Sequence, residues 1–145
     1  MGDLELLGAR GTDPVEYGCY PMAPWAGRVP HNIVTVDNTS YHLPASYNTW
    51  ALHGTVLDAA WSVVRRWRDA VCLAVNVGPP WPWAGQVRLT WTLTESRLSS
   101  ELTLTSSGEA FPARIGWHPW FRRRLARGGD LQWQAAAVAL LERGP

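Results

Sequence analysis

The sequence predicts an all-β protein, an antiparallel β-sandwich, and three observations predict it. Val87-Arg-Leu-Thr-Trp-Thr-Leu-Thr94 alternates apolar and polar residues, and Leu98-Ser-Ser-Glu-Leu-Thr-Leu-Thr105 nearly does. That two-residue period marks a strand with one buried face. Proline, glycine and Asp/Asn pairs break the chain at short intervals, as turns between strands do. Helical patterning is confined to Gln134–Glu142, a stretch that reads equally well as a strand.

Taken in order, Ile33–Val36 and Ser40–Leu43 read as short strands around an Asp37-Asn38 turn. Trp61–Arg66 and Val71–Val75 follow, separated by Arg68-Asp69. Gly78-Pro-Pro-Trp-Pro-Trp-Ala-Gly85 must be a loop, because its prolines can neither continue a helix nor donate to a sheet ladder. Glu95-Ser-Arg97 joins the two alternating segments as a β-hairpin. The chain shows no internal repeat and no linker, so residues 1–145 are expected to form one domain, with the loops carrying the unusual residues.

Composition narrows the function. Apolar residues make up 46% and charged residues 17%, the balance of a folded chain. A net charge of +1 argues against a general nucleic-acid or membrane surface. No segment is apolar and long enough to span a bilayer. The start, Met-Gly-Asp-Leu-Glu-Leu-Leu, lacks the basic opening of a signal peptide, so the cytosol is the expected location. Cys19 and Cys72 are too few for a disulfide framework, and the four histidines are scattered, so neither a metal nor a cofactor is expected. All thirteen basic residues are arginine, whose planar fork suits hydroxyls and carboxylates. Arg122-Arg123-Arg124 reads as a solvated strand end or loop.

Ten tryptophans remain to be explained. Some must fill the β core. Others suit a sugar cleft, where an indole stacks on the apolar face of a pyranose. The segment Phe111-Pro-Ala-Arg-Ile-Gly-Trp-His118-Pro119-Trp-Phe121 sets a histidine among such rings. Pro119 disfavours the helical region for its predecessor, so His118 is expected to be extended. An imidazole beside Trp117 and Trp120 could donate a proton to a sugar ring.

Three segments in order resemble the aldose 1-epimerase (galactose mutarotase) family. Tyr20-Pro-Met-Ala-Pro-Trp-Ala-Gly-Arg28-Val is similar to its Pro-Trp-x-x-Arg segment. Ala51-Leu-His53-Gly54 is similar to its His-Gly motif, and Gly116-Trp-His118-Pro119-Trp-Phe121 to its His-Pro-Tyr-Phe motif, with tryptophan in place of tyrosine. The resemblance implies a large antiparallel sandwich that interconverts the α and β anomers of a free hexose. It makes His118 the general acid, with His53 and Arg28 binding the sugar. Trp25, Trp117 and Trp120 are the candidate wall against which the ring lies. His31 and His42 match no motif and are expected to be an exposed turn residue and an exposed strand residue.

The resemblance covers the central portion of the family. Its catalytic base is a glutamate far downstream of the His-Pro motif, and Glu142 stands too close to that motif to be carried over. Activity is therefore expected to be impaired in these residues alone. Strand edges left uncovered, with the apolar stretch Leu131–Leu141, are expected to favour self-association. Two other readings stay open: a carbohydrate-binding module without chemistry, and a half-sandwich completed by another polypeptide. A hexose-6-phosphate version would draw on Arg65, Arg66 and Arg68, although no glycine-rich nest accompanies them.

Overall fold

The two alternating segments form the last two strands of a four-stranded antiparallel sheet in the computed structural model, which describes residues 5–8, 11–132 and 134. The strands are β1 (Cys19–Met22), β2 (Ile33–Val36), β3 (Thr39–His42), β4 (Ser62–Arg66), β5 (Ala70–Val77), β6 (Gly85–Leu93), β7 (Leu98–Ser106) and β8 (Gly116–Pro119). β4 to β7 run as a meander in sequence order. β2 pairs with β3, and β1 with β8.

Register explains which face is buried. Val75 faces Val87, Val87 faces Leu104, Leu73 faces Leu89, and Leu89 faces Leu102. All these side chains fall on one side of the pleat, and the alternate side carries Asn76, Arg88, Glu101 and Thr103. Val87 is wholly buried, and such a side chain contributes about 1.5–3 kcal/mol. The β2–β3 hairpin covers this face through Val34, Val36 and Tyr41, and β8 covers its other end, where Trp117 packs on Trp91 with ring centroids 4.9 Å apart. These elements form the second layer of the sandwich.

The turns follow from their residues. Asp37 and Asn38 both take positive φ, 47° and 64°, as the tight twist of a two-residue hairpin requires. At Arg68-Asp69 the Trp67 N–H donates to the Ala70 carbonyl at 2.8 Å. Thr94 closes the β6–β7 turn, its N–H donating to the Arg97 carbonyl at 2.8 Å. The 78–85 loop delivers Trp81 and Trp83 into the centre of the core. Trp81 is 2% exposed and touches Trp25, Trp83 and Phe111.

β4 is exposed along its whole length and pairs with β5 alone among the described strands. A register shift between Val63 and Arg65, with Arg65 and Arg66 beside it, blunts this edge. Arg122 departs from the solvated expectation. It forms an ion pair with Glu5 at 2.5 Å and donates from Nε to the Leu7 carbonyl at 3.1 Å, tying residues 5–8 to the chain after β8. His31 and His42 are exposed, His31 in a turn and His42 on β3. Most of Gln134–Glu142, and most of Leu131–Leu141, lies outside the described residues. Among the described residues, no helix is long and apolar enough to cross a membrane.

Candidate active site

The β1–β8 pair is the first support of the site. It sets Tyr20 opposite His118 and Pro21 opposite Trp117. Pro21 lacks an N–H and is tolerated because β1 pairs with β8 alone among the described strands. Beyond β8, Trp120 is held from both sides: its N–H donates to the Gly18 carbonyl at 2.7 Å, and its carbonyl accepts from Gly8 N–H at 2.8 Å.

Strand periodicity then sorts the rings. His118 and Trp120 share a face, with centroids 5.4 Å apart and planes inclined 28°. Trp117 points the other way, into Trp91. Trp117, expected to wall the sugar cleft, thus lies on the face opposite His118 and Trp120, because adjacent residues on a strand occupy opposite faces, and packs on Trp91.

The second support joins two of the sequence motifs. Residues 23–29 run beside 51–55, with Thr55 N–H donating to the Ala23 carbonyl at 2.8 Å and Val29 N–H to the Ala51 carbonyl at 3.1 Å. His53 N–H donates to the Gly27 carbonyl at 3.0 Å, and its Nδ1 accepts from Gly27 N–H at 3.1 Å. That reciprocal pair fixes the ring. With Nδ1 an acceptor, neutral His53 carries its proton on Nε2. His53 itself has φ 59°, and Gly54 has φ 87°. A Cβ at Gly54 would collide with the backbone of Ala23, so this position demands glycine.

Together the supports bring His53 and His118 edge to face, centroids 5.2 Å apart at 72°. They face a cleft of about 520 Å³ whose wall includes Trp120, Tyr20, Leu52, Tyr47 and Glu16. Burial lowers the pKa of His53, and the charges of His118 and Arg28 lower it further. Burial raises that of the Tyr20 phenol. Glu16 sits in a capping box, its Oε2 accepting from Thr12 N–H at 3.0 Å and Asp13 N–H at 3.4 Å.

The remaining candidates lie to the side. Trp25 is 8% exposed, donates from Nε1 to the Ala51 carbonyl at 3.3 Å, and packs on Trp81. It borders an adjoining lobe of about 310 Å³ that shares His53, Leu52 and Tyr47 with the main cleft. Arg28 is exposed and rests over Trp50 at 5.9 Å, in a neighbouring groove. Sequence reasoning missed Tyr20, Tyr47, Leu52 and Glu16. Tyr20 alone had a signal, as the first residue of the Pro-Trp-x-x-Arg segment.

A family model described as aldose 1-epimerase matches residues 6–141. The chain belongs to the aldose 1-epimerase family. The uncharacterized protein YphB of Escherichia coli K12 is 28% identical over 117 residues, 79% of this chain and 40% of YphB. The crystal structure of a putative aldose 1-epimerase from E. coli K12 superposes with a TM-score of 0.72 at 28% identity, covering 80% of this chain and 41% of that one. A GalM/aldose epimerase homologue from C. elegans shares the fold, with a TM-score of 0.53 at 17% identity over 70% of this chain and 35% of its own. The chain thus spans about two fifths of the length of the E. coli relatives it matches.

Proposed function

We propose that this chain binds a free hexose in the His53–His118 cleft and promotes interconversion of its α and β anomers. One observation carries the reading: two histidines from distant motifs meet in one cleft beside an exposed tryptophan face. Ring opening needs a proton delivered to the ring oxygen and a proton removed from the anomeric hydroxyl. The bond between the anomeric carbon and the ring oxygen then breaks, leaving an open aldehyde that rotates and closes on its other face.

In this reading His118 is the acid and Trp120 the platform for the pyranose. His53 donates from Nε2 to the sugar as a neutral imidazole, a state favoured by its burial and its cationic neighbours. The base is the weak point. Glu16 is the carboxylate bordering this cleft among the described residues, and its Oε2 is occupied by backbone N–H groups. Anomerisation by these residues alone is therefore expected to be slow.

The same observation favours hexose binding without chemistry as the second reading. The phosphate version has less support, because Arg65 packs over Trp67 on β4 and none of Arg65, Arg66 and Arg68 borders the cleft. Polarimetry on freshly dissolved α-glucose and α-galactose tests the proposal. Protein should accelerate the approach to equilibrium, and His118→Ala should remove about 10²–10⁴-fold of any catalysis. A folded protein that leaves the spontaneous rate unchanged would sink the chemical reading and leave the binding one.

A further inference from the structure

A catalytic imidazole is ordinarily aimed by a hydrogen bond from one ring nitrogen to a carboxylate or carbonyl. His118 has no such anchor: its Nδ1 is buried and lacks a hydrogen-bond partner among the described residues. With Nδ1 buried, Nε2 is the ring nitrogen of His118 left to a ligand, and the acid of the proposed reaction is the imidazolium donating from Nε2. Packing must supply the aim that a hydrogen bond does not.

Three rings touch the imidazole. His53 meets it edge to face and cannot stop it sliding in its own plane. Trp120 stacks at 28° but is 50% exposed, so one side of its ring is unsupported. Tyr20 is different. It faces His118 in the β1–β8 register, is 6% exposed, and lies nearly parallel to the imidazole, with centroids 4.9 Å apart at 13°. The same ring abuts His53 at 5.9 Å and 61°.

We propose that Tyr20 is a positioning residue for the histidine pair: its buried ring, rather than the hydroxyl that hydrogen-bonds Trp120, holds His118 with Nε2 presented to the cleft. Sequence alone does not reveal this, because the strand pairing that sets the two rings together joins opposite ends of the described chain. The kinetic part of the test rests on the anomerisation reading; the spectroscopic part does not.

The test uses Tyr20→Leu and Tyr20→Phe, read by proton NMR of the His118 ring and by kcat and KM for α-galactose. Stacking should shift the His118 ring protons upfield in the unaltered protein and in Tyr20→Phe, and that shift should fall in Tyr20→Leu, where Trp120 alone stays stacked on the imidazole. The leucine variant should lose about 10- to 100-fold in kcat, the cost of a misplaced catalytic group, with KM little changed. Phenylalanine should restore most of it. A leucine variant that keeps the full His118 shift overturns the proposal, as does a phenylalanine variant that loses as much kcat as leucine. Should Tyr20→Leu fail to fold, nuclear Overhauser contacts between the Tyr20 and His118 rings decide in the unaltered protein, and their absence overturns it equally.

Discussion

Replacing Gly54 by alanine tests the joint on which the cleft depends. Gly54 has φ +87°, and a Cβ there would run into the Ala23 carbonyl and come within 2.9 Å of the Ala23 nitrogen. Ala23 is wholly buried, so these backbone atoms have no room to yield. Gly27 offers the matched control, with φ +85° and nothing within 4 Å of a Cβ. Both substitutions incur the left-handed penalty of about 1–2 kcal/mol. At Gly54 the segments must also part, breaking the Thr55 N–H bond to Ala23 and leaving buried polar groups unpaired at about 1–3 kcal/mol each. The sum is about 3–8 kcal/mol for Gly54→Ala against about 1–2 kcal/mol for Gly27→Ala. Urea unfolding followed by tryptophan fluorescence measures both, and with a slope of about 1–3 kcal/mol per molar the midpoints should differ by about 1 M or more. Equal midpoints would refute the steric account of the His-Gly motif.

Three further outcomes follow from the same geometry. Trp81→Ala should cost about 3–5 kcal/mol, while Trp81→Phe should cost well under half of that, because it removes a buried indole N–H that has no partner among the described residues; denaturant midpoints decide. His53 has a folded pKa below the ordinary 6.5, so the unfolded chain binds its proton first and stability present above 6.5 is lost as pH falls through the folded value. His53→Asn keeps an acceptor for Gly27 N–H and tolerates positive φ, so urea midpoints taken from pH 7 downward should show a shallower decline in this variant. Trp117→Phe should lower the unfolding midpoint and leave hexose-induced fluorescence quenching in place, whereas Trp120→Ala should do the reverse; loss of quenching in Trp117→Phe would put that ring back in the cleft.

Much of the sheet was legible in the residues because its pairings are local. Alternation in Val87–Thr94 and Leu98–Thr105 and the turn pair Asp37-Asn38 each act over a few neighbours, and β2, β3, β4, β6 and β7 appear within a residue or two of expectation. β5 extends past its expected end to Val77, since Asn76 breaks the apolar run but sits on the polar face. β1 and β8 were not legible. Each has four residues and a proline, and each becomes a strand by pairing with the other across the chain. The site was legible as a set of motifs and not as a geometry. Gly27 binding the His53 ring could not be read from spacing, and neither could the opposite facing of Trp117 and Trp120 until β8 was known to be a strand.

The central claim is that His53 and His118 together face a sugar. The four histidines supply their own control, since His31 and His42 are exposed and lie outside that cleft. Histidine side-chain NMR during titration with galactose or glucose tests it most directly. The His53 and His118 resonances should move together and saturate at one concentration, with those of His31 and His42 unmoved. Four resonances that stay in place, or that drift together without saturating, would contradict the account.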